Sequence, residues 1–263
     1  MEQPVVIVGM GEMGGVFATA FLSAGHPVYP VLRDTSMSDL ADLIPEPALV
    51  MVTVGEDDLD AVLGELPTAW KARVGLIQNE LLPRDWTKRE VEDPTVAAVW
   101  FEKKPAKPIT VIVPTPVAGP NNDLVVDALA GIGIGATAIP GSGLVGALVA
   151  KNLYILTANI GGLRSGGTVS ELWNDHGDLA RSVADEVLDI QEYLAETVID
   201  REEALAAMVT AIEADPDHGA TGRSAPRRLQ RAIGHARAAG LETPVLRAIA
   251  DDSVKNASGH EST

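Results

Sequence analysis

The chain has no cysteine among its 263 residues, which excludes a disulfide framework, a thiolate zinc site and a cysteine nucleophile. Histidine is scarce, and His26, His176, His235 and His260 lack the one-turn spacing with a third carboxylate that would hold a metal. No metal site is expected, and these histidines belong on the surface or at helix caps. Positive charge is also short: 20 lysines and arginines face 37 acids, a net charge of −17. A field of that sign repels nucleic acid and anionic membranes alike. No basic segment precedes an apolar leader, since the chain enters a strand pattern at Val5, so a cytoplasmic protein is expected. Apolar residues make up 46% of the chain, enough to bury a nucleotide domain and a second domain beside it.

What is present begins with VVIVGMGEMGG (5–15). Val5 to Val8 is the apolar, β-branched run of a strand buried on both faces. It leads into Gly9, Gly11 and Gly14 at G-x-G-x-x-G spacing, then into a helical run closed by Gly25. In that context the glycines predict a dinucleotide loop, Gly9 for the tight turn, Gly11 for approach of a pyrophosphate, Gly14 for close helix–strand packing. Met10, Glu12 and Met13 complete the loop, and the helix N-terminus offers free N–H groups to phosphate. The next strand, in HPVYPVLRD (26–34), ends at Arg33 and Asp34. An arginine there suits the 2′-phosphate of NADP, while the adjacent carboxylate keeps NAD open.

Strands and helices then alternate. TSMSDLADLIPEP (35–47) reads as a short helix and turn ended by Pro45 and Pro47. ALVMVTVG (48–55) is a second buried strand, and RVGLIQNELLP (73–83) a third ending at Gln78 and Asn79. This alternation predicts a doubly wound Rossmann-type α/β sheet with its ligand at the strands' carboxyl ends, putting Val54, Gly55 and Asn79 at the nicotinamide mouth. Residues 94–104 and 107–120 read as two further strands whose prolines suit an edge or antiparallel role. A helix from Asn121 and a last strand at 134–140 complete a domain over 1–140.

From 141 to 263 the pattern is all helical. GSGLVGALVAKNLYILTANIGGLRSGG (141–167) is apolar nearly all round and long enough to span a bilayer. Lys151, Asn152 and Asn159 in its middle oppose a span. A buried ammonium costs several kcal/mol unless it meets a cleft, ligand or partner, so Lys151 is a candidate functional group. Thr168 and Glu171 form a capping box, Ser224 with Pro226 just inside predicts a helix start closing at Gly240, and VKNASGHEST (254–263) reads as a frayed tail. Arg223, Arg227 and Arg228, with His218 just before, make a basic cluster that could hold an anionic group. Pairing with surface acids is the plainer alternative. Trp70, Trp86, Trp100 and Trp173 are expected in core or interface, and the long apolar helix leaves a homodimer open.

GMGEMG, GHPVYPVLR, LIQN, AKNLYILTANIGGL and the GR pair followed by LETPVL occur in an order that resembles the ketopantoate reductase family, whose members reduce a 2-keto acid with NADPH. The resemblance implies that Lys151 is the general acid, that Asn79 lies beside nicotinamide and substrate, that Arg33 holds the 2′-phosphate, and that Asn159 meets the substrate. Three family positions with polar substrate contacts carry Ile155, Ala214 and Pro226 here. His218 and Arg223 are therefore the candidates for an altered, anionic substrate.

Hydride transfer to a carbonyl or imine carbon leaves negative charge on oxygen or nitrogen, and Lys151 could supply both charge and proton. A β-hydroxyacid or opine-type dehydrogenase ranks second, because GLVGALVAK is off that motif by one residue. A catalytically silent NADP-binding sensor or scaffold is the rival of another class.

Overall fold

The computed structural model describes residues 2–259, with side chains through Ser253. The chain divides into two compact units, Met1–Leu148 and Val149–Thr263.

The first unit is a mixed α/β sheet. Strands β1 (Val5–Val8), β2 (Val28–Val31), β3 (Leu49–Val52), β4 (Val74–Leu76) and β5 (Thr95–Ala97) run parallel. β8 (Thr115–Ala118) returns antiparallel to β5, and β9 (Ala136–Ala138) pairs parallel with β8. The order is β2-β1-β3-β4-β5-β8-β9. Its direction reverses between β1 and β3, the position where open α/β sheets bind ligands. β1 and β3 are buried throughout, as strands covered on both faces must be.

Alternation along these strands puts Val5, Ile7, Leu49 and Met51 on one face. They join a core with Phe17 and Phe21 of α1 (Glu12–Ser23) and Val125 and Leu129 of α5 (Asn122–Gly131). The remaining helices of this unit are α2 (Met37–Leu43), whose N-cap Ser36 accepts from Asp39 N at 3.2 Å, α3 (Glu56–Glu65) and the short α4 (Pro83–Thr87). Trp70 is fully buried and donates Nε1 to Ile44 O at 2.9 Å; Trp86 and Trp100 are buried as well.

The segments 94–104 and 107–120 each break in two, which differs from the single strands expected. After β5 the chain leaves the main sheet and forms a separate hairpin, β6 (Phe101–Lys103) with β7 (Ile109–Val111). Pro105 and Pro108 lie in the intervening turn, where a missing N–H costs nothing. The antiparallel expectation holds for β5 with β8, but neither is an edge, since the edges are β2 and β9. β4 also stops at Leu76, two residues before Gln78.

The second unit is helical, with α6 (Leu144–Ser165) entering it, then α7 (Val169–Asn174), α8 (Gly177–Ala195), α9 (Arg201–Ala214), α10 (Ala225–Ala239) and α11 (Pro244–Gly259). Residues 141–165 are long and apolar enough to cross a membrane, yet 61% of an 18-residue stretch within them is buried inside the protein. The segment is a core helix. Thr168 and Glu171 form the expected capping box at α7. Ser224 does not cap α10 through its side chain: its backbone is already helical (φ −84°, ψ −10°), which turns the hydroxyl away from the capping geometry. Gly240 closes α10 in the left-handed region at φ 69°.

The start of α11 is capped from a distance. Glu186 of α8, only 8% exposed, accepts Val245 N at 2.8 Å and Leu246 N at 3.0 Å, satisfying two donors that no residue of its own helix can serve. Residues 254–259, expected to fray, continue α11. His260 and the rest of the expected tail lie outside the described residues.

Candidate functional site

The glycine loop joins β1 to α1 at the reversal point, and each glycine is required for a different reason. Gly9 has φ +95°, and a Cβ there would lie 2.8 Å from Val54 Cγ1. A Cβ on Gly14 would lie 2.1 Å from Gly9 O and 3.0 Å from Thr53 Oγ1, so only glycine lets helix and loop pass this closely. Gly11, the N-cap of α1, would meet nothing within 4 Å. Its backbone is bare on the side where a ligand could approach.

Two side chains not expected from the sequence hold this architecture. Thr53, just past β3, donates its hydroxyl to Gly9 O at 2.5 Å and lies 3.2 Å from Val8 O. Gln78, 6% exposed, donates Nε2 to Val52 O at 2.9 Å and Val54 O at 3.1 Å, and its Oε1 accepts Ile77 N at 3.1 Å. The first ties the loop to the neighbouring strand; the second fixes the β3–α3 turn carrying Val54 and Gly55. Gly9 N adds a bond to Val31 O at 3.1 Å, linking the loop to the end of β2.

The other expected residues of this unit lie on the same rim. Arg33 and Asp34 are exposed two and three residues past β2, in a turn closed by Leu32 N donating to Thr35 Oγ1 at 3.0 Å. Val54 is half-buried and Gly55, the N-cap of α3, is exposed. Asn79 is half-buried and donates Nδ2 to Glu56 Oε1 at 3.0 Å. The following residue, Glu80, has φ +62°, a conformation few non-glycine residues adopt. Met10 and Glu12 are exposed and Met13 half-buried. Beside the loop lies a groove of about 540 Å³ lined by Met10, Gly11, Glu12, Val16, Lys103 and Ile109 among others, within the size range of ligand pockets. A bare glycine backbone at a helix N-terminus fits the pyrophosphate of a dinucleotide; Arg33, Val54, Gly55 and Asn79 do not line this groove.

In the second unit the chemistry sits on α6. Lys151 is 4% exposed and Asn152 1% exposed; Asn152 donates Nδ2 to Gln191 Oε1 of α8 at 3.0 Å. Asn159 follows Lys151 by eight residues, about 12 Å along the same helix face. Its Oδ1 accepts Arg228 Nη1 at 2.7 Å. Arg228 is 9% exposed, whereas Arg223 and Arg227 are exposed. Of the basic cluster it is Arg228, not the expected Arg223, that the fold brings to Asn159. The signal was present: Arg228 shares the helix stripe of Ala225, Leu229 and Ala232, the buried residues of α10.

His218 is half-buried, its Nδ1 3.2 Å from Asp215 Oδ2 and its ring centroid 6.5 Å from that of Tyr154 on α6. Of the three family polar positions, Ile155 is half-buried on α6 and Ala214 and Pro226 are exposed on α9 and α10. Trp173 is half-buried under the guanidinium of Arg181, 5.1 Å from the ring centroid.

No family model matches the sequence, and no curated protein matches it. Solved structures do match. The 2-dehydropantoate 2-reductase from Methylococcus capsulatus aligns with a TM-score of 0.72 at 12% identity, over 99% of this chain and 98% of that one. A dimeric ketopantoate reductase from Staphylococcus aureus aligns at 0.65 and 16% identity, over 96% and 98%. D-mandelate dehydrogenase in a ternary complex with NADH and anilino(oxo)acetate aligns at 0.64 and 12% identity, over 96% and 97%. A mixed, mostly parallel sheet followed by a helical region, carried along the whole chain at such low identity, makes this the fold of the ketopantoate reductases in a divergent sequence.

Proposed function

We propose that the chain is a soluble, cytoplasmic NADPH-dependent reductase of 2-keto acids or related carbonyl or imine compounds, with Lys151 as general acid. The observation that carries this reading is the pair of groups on one face of α6: a buried lysine, and two turns on an asparagine oriented by a buried arginine. A buried ammonium on a long apolar helix is kept only where other groups compensate its desolvation. A full glycine loop in the same chain supports the redox half of the reading.

The reduced nicotinamide, when bound, supplies the hydride. The chain's own groups do the rest. The first turn of α1 and the Gly11 backbone receive the pyrophosphate through N–H groups. Arg33, two residues past β2, would take the 2′-phosphate and so favour NADPH over NADH. Asn79, steered by Glu56, orients the carboxamide or the substrate. Lys151 donates a proton to the substrate oxygen or nitrogen as negative charge develops there, and its own charge stabilises that moment. Arg228 and Asn159 hold the substrate carboxylate, supplying the polar groups that Ile155, Ala214 and Pro226 cannot offer. His218 and Arg223 have secondary places in this scheme, one bonded to Asp215 and the other exposed. The dimeric relative supports a homodimer.

The side chains at 155, 214 and 226 also favour a second reading, a nucleotide-binding sensor without turnover. A panel of 2-keto acids, with the matching aldehydes lacking a carboxylate, separates the two when NADPH consumption is followed. Reduction of the keto acids in clear preference to the aldehydes supports the reductase; NADPH binding without consumption across the panel supports the sensor.

A further inference from the structure

The groove beside the glycine loop has one wall that the dinucleotide reading does not use. Glu12, Gly15, Val16 and Thr19 form a single stripe of α1 along it, at the i, i+3, i+4 and i+7 spacing of one helix face. Lys103 and Ile109 of the β6–β7 hairpin and Ile132 past the end of α5 close the other side. Thr19 spends its hydroxyl on Gly15 O at 2.8 Å. Among the described lining residues Lys103 is the sole cation and Glu12 the sole anion.

The geometry of Lys103 is that of a cation held in place but loosely paired. Its Nζ donates to Lys104 O at 3.0 Å and Lys107 O at 2.5 Å, both in its own hairpin turn. Its distance to Glu12 Oε2 is 3.6 Å, an ion pair too long to be a hydrogen bond. Glu12 in turn occupies the first position of α1, where the helix dipole favours its negative charge. That charge stands beside the bare Gly11 backbone and opposes any anion arriving there.

We propose that Lys103 is a pyrophosphate-binding residue: it rests against Glu12, and turns to the ligand's diphosphate when that group settles at Gly11. The two turn carbonyls keep the ammonium at the groove, and the loose Glu12 contact is the one it gives up. Glu12 then opposes binding electrostatically, and Lys103 offsets that opposition. This inference rests on the dinucleotide reading, and deepens it by naming a contact from a hairpin outside the main sheet. The pyrophosphate is common to both nicotinamide cofactors, so the contact is blind to the 2′-phosphate that Arg33 is proposed to read.

The test is titration of the whole protein with NADPH and with NADH by nicotinamide fluorescence, at low and high salt. Lys103→Gln is expected to raise Kd about tenfold for both cofactors by the same factor, the size of one charge-assisted hydrogen bond, and to flatten the salt dependence. Glu12→Gln is expected to lower both Kd values severalfold, which keeps the proposal open to refutation should the lysine variant fail to fold. An unchanged Kd in a folded Lys103→Gln, or a loss confined to NADPH, overturns this proposal while leaving the dinucleotide reading intact. Wild-type protein that binds neither cofactor overturns both.

Discussion

In the first unit the candidate ligand surface is made of backbone, whereas in the second it is made of side chains brought together from separate helices. Gly9, Gly11 and Gly14 act by what they lack, and their partners are mostly main-chain atoms. Lys151, Asn159 and Arg228 act by what they carry, and Asn159 meets an arginine 69 positions further along. A backbone site tolerates almost no change in shape and much change in neighbouring chemistry. A side-chain site can exchange its polar groups while its helices stay in place. That contrast accounts for a chain that keeps a G-x-G-x-x-G loop while carrying Ile155, Ala214 and Pro226 where the resemblance implies polar side chains.

The comparison can be broken first at the loop. Gly14→Ala forces a methyl against Gly9 O and should cost about 3 kcal/mol or more, the upper range for overpacking, read as a large fall in the midpoint of denaturant unfolding. A variant as stable as the wild type would show that the loop is not shape-limited. At the rim of the same unit, Arg33→Ala should weaken NADPH by about tenfold to a hundredfold and leave NADH nearly unchanged, since one or two charge-assisted bonds to the 2′-phosphate disappear. Equal effects on both cofactors would remove Arg33 from the discrimination.

In the helical unit, Glu186→Ala should cost about 2 kcal/mol, because two N–H groups at the start of α11 lose their acceptor. Equilibrium unfolding reads this, and NADPH affinity should stay the same. The smallest effect concerns Asp60, whose carboxyl is held well below the usual range by hydrogen bonds from Arg89 and then Lys88. Its contribution to stability is present above the ordinary carboxylate pKa and is lost as pH falls toward the depressed folded value. Being exposed, the group contributes little, so Asp60→Asn should lower stability slightly at neutral pH and leave it unchanged in strong acid, where the carboxyl is already protonated.

What could be read from the sequence divides along the same line. The glycine loop, the doubly wound sheet, the capping box at Thr168 and the change to helices all follow from short-range spacing. Thr53 and Gln78 could not be read, because each acts on carbonyls more than twenty residues away that only the parallel sheet brings near. The β6–β7 hairpin was hidden in what looked like continuous strands, and Lys103 with it. Glu186 and Arg228 left a trace, each a charge on the apolar stripe of an amphipathic helix. Such a charge marks a buried partner without saying which one.

Lys151 is the residue on which the reductase assignment turns. Wild-type protein and Lys151→Ala should be compared in a single-turnover reaction with saturating NADPH and the best keto acid of the panel, alongside NADPH titration of each. Loss of the general acid and its charge should slow hydride transfer about a thousandfold or more, with NADPH affinity within about twofold of the wild type. An unchanged rate with the alanine variant would contradict that assignment.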